Sequence, residues 1–206
     1  EMDEAGIGKS ILSVAGPGVQ VEPNTATALK TASEANDHLA AQIAPNKDRL
    51  YAFAHIALQD ANAAAKELER CVKQLGFKGA LINGHSLGHY LDERQFDPFW
   101  AKAEELQVPV YLHPADPPEQ YKSFDGYDAL RRATWGWTVE TGTHVLRMVF
   151  GGVFDRFPKA ILAVGHLGET MPFLLWRLDS RAKLYGVKLK REPSDYIREN
   201  MYVTLS

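Results

Sequence analysis

Residues 77–114 read FKGALINGHSLGHYLDERQFDPFWAKAEELQVPVYLHP. Two short apolar runs, FKGALIN and VPVYLHP, flank a segment where Asp97-Pro98 offers a capping residue and a proline at the first helical position. Behind them Phe99, Trp100, Ala103 and Leu106 fall on one side of a helix. The spacing predicts strand, helix, strand. A helix-length return between two strands makes them parallel, with a right-handed crossover.

The same alternation extends in both directions. Upstream, Ile11–Val14 is a strand, the turn-rich AGPGVQVEPN follows it, and Thr25 to Ile43 reads as a helix. YAFAHIAL, Tyr51 to Leu58, is a second strand, after which Asp60 or Asn62 caps a helix over ANAAAKELERCVKQLG with Gly76 as its stop. Downstream, Thr143 to Phe154 reads as an amphipathic helix, AILAVGH as a strand and Met171 to Tyr185 as a helix, with MYVTLS a last strand. Strands separated by helices throughout predict a parallel α/β protein. Periodicity leaves two architectures open: a doubly wound sheet, which suits the length, and a barrel, whose full eight strands take about 250 residues.

Composition narrows the function classes. The 206 residues are 45% apolar with 16 Gly and 11 Pro, as expected of one folded soluble domain. With 23 Lys+Arg against 26 Asp+Glu, the chain has a formal charge of −3 and no basic block, which speaks against nucleic acid as a partner. One cysteine, Cys71, makes neither an internal disulfide nor a thiolate zinc site, so His and carboxylate are the available metal-ligand types. No apolar run approaches membrane-spanning length, so no membrane partner is expected, and EMDEAG is not a basic signal-peptide start; the expected location is cytoplasmic. Gly8-Lys9-Ser10 precedes a strand, whereas a phosphate loop follows one.

Two histidines stand out, His113 in PVYLHPAD and His166 in ILAVGHLGE, each at the C-terminal end of an apolar strand. In a parallel barrel those ends converge on one mouth. Alternation groups Tyr111 with His113, and Leu162 and Val164 with His166, which lets both imidazoles point inward. His113 can ligate a divalent metal through one nitrogen while the other donates to a neighbouring acceptor, with the Asp116 carboxylate near in sequence; a satisfied structural histidine is the alternative. Glu169, three residues beyond His166, can hold its tautomer for acid–base work. Asn83 closes the GALIN strand and can orient an oxygen-bearing ligand, and Arg177 can meet a carboxylate or pair with Asp179. His85 and His89 in a glycine-rich loop read as a binding loop or as structural, and Trp135, Trp137 and Tyr127 as a flat pocket wall, core cover or dimer surface.

Five segments then resemble one family: MDEAGIGKSILSVAGPGVQ, GFKGALINGHSLGHYLDE, FDPFWAKAEELQVPVYLHPAD, VETGTHVLRMVFGGVFDRFPKAILAVGHLGETMPFLLWRLDSR and NMYVTLS. Together they are similar to the metal-dependent aromatic-acid decarboxylases of the amidohydrolase superfamily, in the pattern of γ-resorcylate (2,6-dihydroxybenzoate) and 2,3-dihydroxybenzoate decarboxylases. The resemblance implies a (β/α)₈ TIM barrel, partial over residues 1–206, with the first strand and the final strand region expected outside the chain. It implies one divalent metal, zinc, manganese or magnesium, with His113 as a ligand and further ligands before Glu1 and after Ser206. His166 and Glu169 are then catalytic, and Asn83 and Arg177 bind substrate. The implied activity of the parent protein is non-oxidative decarboxylation of a hydroxy-substituted benzoate, in a homodimer or homotetramer. The alternatives are a metal-dependent hydrolase acting on a lactone or amide, and a catalytically inactive fragment.

Overall fold

The structure is a computed structural model that describes residues 1–205. Its elements in chain order are β1 (Ser10–Leu12), α1 (Thr25–Ile43), β2 (Leu50–Ala52), β3 (Ala54–His55), α2 (Ala61–Lys73), β4 (Ala80–Asn83), α3 (Asp97–Leu106), β5 (Pro109–His113), α4 (Gly136–Phe150), α5 (Val153–Arg156), β6 (Ile161–Val164), α6 (His166–Glu169), α7 (Leu175–Leu184), α8 (Pro193–Glu199) and β7 (Met201–Val203). Asn24 caps α1 by accepting from the Thr27 N–H at 2.9 Å, and Asp60 caps α2 by accepting from both Asn62 and Ala63.

Every strand pairing is parallel. β1 pairs with β2, while β3, β4, β5, β6 and β7 follow one another in sequence order. β2 and β3 are one strand interrupted at Phe53, whose N–H turns to the Leu12 carbonyl at 2.9 Å while the Ala54 N–H goes to Gly79 at 2.8 Å. The result is a single arc of consecutive neighbours with β1 and β7 as its edges among the described residues.

Helices cover one face of that arc. Ala52, Ala54, Ala80, Ile82, Val110, Leu112, Leu162, Val164 and Met201 join one buried core with Leu68 and Cys71 of α2, Phe99 and Trp100 of α3, Val145 and Met148 of α4 and Tyr196 of α8. The other face carries the register partners Ile11 and Tyr51, His55 and Leu81, Asn83 and His113, and Tyr111 and Ala163. A doubly wound sheet has helices on both faces; sequential strand order with helices outside is barrel geometry.

Several boundaries differ from expectation, among them three that bear on the layout. α3 begins at Asp97 itself, with Phe96 in the capping position. The helix expected over Thr143 to Phe154 runs Gly136–Phe150 and stops at Gly151-Gly152, where Gly152 adopts φ 70° before α5. The last strand ends at Val203, and Ser206 lies outside the described residues. α8 has a proline at its first position, the start signal that the apolar periodicity overlooks. Among the described residues no helix is long and apolar enough to cross a membrane.

Candidate active site

The C-terminal ends of β4 and β5 bring Asn83 and His113 side by side as register partners. They open onto a cavity of about 590 Å³ whose lining includes Pro17, Val21, His85, Asp116, Arg132 and Trp137. His113 Nδ1 lies 3.0 Å from the Pro114 carbonyl oxygen. A carbonyl only accepts, so Nδ1 carries the proton and Nε2 keeps a free lone pair. Asn83 is buried and its Oδ1 has no hydrogen-bond partner, while Nδ2 reaches the Val14 carbonyl at 3.5 Å.

The loop after β1 closes over this floor. Gly18 sits so near His55 that a Cβ there would stand 2.3 Å from Cε1, and its φ of 61° also favours glycine. His55 Nε2 accepts from the Val19 N–H at 3.1 Å, which places the proton on Nδ1, a buried atom with no partner. Burial lowers the His55 pKa to about 4. Asn36, buried within α1, clamps the strand from behind: its Oδ1 accepts from the His55 N–H at 2.8 Å and its Nδ2 donates to the His55 carbonyl at 2.9 Å.

Around the rim, His85 has both ring nitrogens engaged, Nδ1 accepting from the Gly88 N–H at 3.0 Å and Nε2 donating to the Asp116 carbonyl at 3.2 Å. It lines the cavity with neither nitrogen left free for a ligand. Asp116 Oδ1 accepts from Trp137 Nε1 at 2.7 Å, which locks the indole against the cavity; Trp135 and Tyr127 are exposed and do not line it. Beneath the rim, buried Glu140 accepts from Tyr90 Oη at 2.6 Å and Tyr121 Oη at 3.1 Å, tying both loops to α4. Burial, then the Glu140 carboxylate, raises the Tyr90 pKa. His144, also in α4, accepts from the Leu91 N–H at 2.9 Å, and burial followed by the nearby His85 and Arg147 lowers its pKa to about 3. Only the i, i+4 spacing of Glu140 and His144 on one face of the helix hints at these two residues in the sequence.

His166 stands two residues past the end of β6, the neighbour of β5. The expected alternation fails here: Leu162 and Val164 face the helices, and after Gly165 the chain leaves the pleat. His166, Leu167, Gly168, Glu169 and Thr170 have φ of 50°, 58°, 72°, 49° and 66°, a full turn of left-handed backbone. For each non-glycine residue that conformation costs roughly 1–2 kcal/mol. The turn sets His166 Nδ1 against Glu169 Oε1 at 2.7 Å, with the carboxylate buried and the imidazole half exposed. The Leu167 N–H, bonded to the Thr204 carbonyl at 3.0 Å, ties the turn to the segment after β7.

Arg177 is exposed on α7 and does not line the cavity; neither does His166. Among the described residues no group of three or more His, Cys, Asp or Glu side chains is arranged to hold a metal ion. His113 therefore offers a single imidazole donor, and the residues present do not make a closed metal site by themselves.

The model of the amidohydrolase family matches residues 12–199. The chain belongs to this amidohydrolase family. A γ-resorcylate decarboxylase from a Rhizobium species is 43% identical over 218 residues, an alignment that takes in 100% of this chain and 66% of that protein. The amidohydrolase chain thus spans just under two thirds of the length of that curated relative. The crystal structure of 2,6-dihydroxybenzoate decarboxylase from Rhizobium superposes with a TM-score of 0.91 at 41% identity, over 98% of this chain and 66% of that one. A dihydroxybenzoic acid decarboxylase from Polaromonas, solved with manganese and the inhibitor 2-nitroresorcinol, gives 0.93 at 41% identity over 99% and 65%. The barrel expected from the resemblance is the fold of the family.

Proposed function

We propose that the protein carrying this chain catalyses non-oxidative decarboxylation of a hydroxy-substituted benzoate. The observation that carries the reading is the His166–Glu169 pair, held at 2.7 Å by a strained left-handed turn at a strand end adjoining that of His113. Backbone strain of this kind persists where the surrounding structure enforces it, and it clusters at catalytic sites. The similarity to dihydroxybenzoate decarboxylases supplies the substrate class.

Glu169 accepts the Nδ1 proton of His166, so Nε2 is the atom that exchanges a proton with the ligand. Taking the proton of a ring hydroxyl there raises electron density at the adjacent carboxylated carbon. That carbon would gain a proton from a carboxylic acid among the remaining metal ligands; the bond to the carboxylate then breaks, its electron pair restores the ring as carbon dioxide leaves, and His166 returns its proton to the ring oxygen. Asn83 Oδ1, buried and unpartnered beside His113, accepts from a second ring hydroxyl. Arg177 acts on the substrate carboxylate only if α7 is brought to a cavity from another direction, so its role rests on the family resemblance alone. His113 Nε2 supplies one ligand to a divalent metal, manganese by analogy with the Polaromonas structure, with zinc and magnesium as the alternatives. A divalent ion bound there stabilises negative charge on carboxylate or phenolic oxygen. The remaining ligands belong to the part of the relatives' length that this chain does not span. Exposed Phe173, Trp176 and Tyr185 along α7 and its flanks support a homodimer or homotetramer.

The test is product analysis on the whole protein with manganese and 2,6-dihydroxybenzoate. Equal amounts of carbon dioxide and resorcinol, with no nucleotide consumed, are expected. Cleavage of a lactone or amide without carbon dioxide replaces the reading with hydrolysis.

A further inference from the structure

Two adjacent arginines in the segment before α4 are used differently. Arg131 is consumed by its own loop: Nε donates to Asp128 at 3.2 Å, Nη1 to Gln120 at 2.8 Å and Nη2 to Asp125 at 3.1 Å. The Arg132 side chain makes no hydrogen bond among the described residues. Its Nε stands 3.6 Å from Asp116 Oδ2, close enough for ionic attraction and too far for a hydrogen bond, and its side chain is 72% exposed. It lines the cavity of His113 and Asn83, and it is the one lining residue there that carries a positive charge at every working pH.

The backbone points the same way. Arg132 has φ 51°, a left-handed conformation that a non-glycine residue holds at a cost of roughly 1–2 kcal/mol. The anchored Arg131 on one side and the helix beginning at Gly136 on the other impose it. Asp116 is fixed independently by Trp137 Nε1, so the guanidinium is the member of the pair that can leave. The wall thus sets a locked indole beside an under-used cation, a pairing that suits a planar ring bearing a carboxylate.

Resting on the function proposed above, we propose that Arg132 binds the carboxylate of the aromatic acid and makes the site discriminate the acid from its neutral phenolic product. While the carboxylate is present, the guanidinium pairs with it; once carbon dioxide has left, the cation returns to Asp116 and the neutral product loses its strongest contact.

The test compares binding of benzoate and of resorcinol to the whole protein by calorimetry, alongside KM for 2,6-dihydroxybenzoate. Arg132→Ala is expected to weaken benzoate and raise KM by about tenfold or more, the size of a charge-assisted contact, while resorcinol binding and Tm stay unchanged. Arg132→Lys falls between. Equal changes for benzoate and resorcinol, or no change for either, overturn the proposal. If the wild-type protein does not turn over 2,6-dihydroxybenzoate, the decarboxylase reading fails by itself, and the benzoate-to-resorcinol comparison still judges Arg132.

Discussion

Acid should destabilise this fold before its carboxylates titrate, and two buried histidines set the size of the effect. His55 and His144 are 2% and 1% exposed, and burial lowers their pKa values to about 4 and about 3. In the unfolded chain a histidine titrates near 6.5. The unfolded state therefore takes up protons first as pH falls, so the stability that the neutral imidazoles contribute is complete above about pH 6.5 and is lost below it. Each pH unit inside that window is worth about 1.4 kcal/mol per histidine, so lowering the pH from 6.5 to 5 removes about 2 kcal/mol for each and about 4 kcal/mol for the pair. The carboxylates whose pKa values are lowered in the fold, Glu67 and Glu93 among them, lose their contribution only below about 4.5, outside this range. Urea titrations of the whole protein at pH 7, 6 and 5 measure the drop. Glutamine can accept from the N–H groups of Val19 and Leu91, so His55→Gln with His144→Gln should flatten the profile, and either alone should halve the slope. A wild-type stability that stays level from pH 7 to 5, or a double variant that keeps the full drop, would refute the reasoning.

Four further outcomes are expected. His166→Asn should lower kcat by about 10²–10⁴, the usual worth of general acid–base catalysis, with Tm nearly unchanged because the imidazole is half exposed. His113→Ala should lower the divalent metal content of the whole protein, read by elemental analysis, whereas His85→Gln should leave it unaltered because both His85 nitrogens are already engaged. Asn36→Leu strips both His55 backbone groups of their partners and should cost about 2–5 kcal/mol in chemical denaturation. At Leu167, φ 58°, a β-branched isoleucine should lower Tm well below that of Leu167→Gly, since only glycine adopts the left-handed region without penalty.

The strand ends were legible where local pattern and tertiary role coincide. FKGALIN and VPVYLHP mark β4 and β5, and pleat alternation correctly put Tyr111 with His113 because that strand stays extended to its end. The same rule failed at His166, where the backbone turns left-handed and the pleat no longer decides direction. Glu169 was found by its spacing, but the reason the two side chains meet is the turn itself. Arg132, Glu140 and Asn36 were missed because each draws its role from a partner distant in the chain: Asp116 in the first case, Tyr90 and Tyr121 in the second, His55 in the third.

By itself the sequence determined the order of strands and helices, the parallel pairing that helix-length returns require, and the family, because all three depend on residues near one another or on whole-segment pattern. Periodicity left barrel and doubly wound sheet open and the family resemblance pointed to the barrel; the tertiary structure shows it directly, since that choice turns on which face of the arc the helices cover. The tertiary structure alone decided which polar atoms end up buried without a partner and which nitrogen of each histidine is free. Those depend on contacts between chain segments tens of residues apart, where the cost of desolvating a polar group is set by neighbours that local periodicity does not encode.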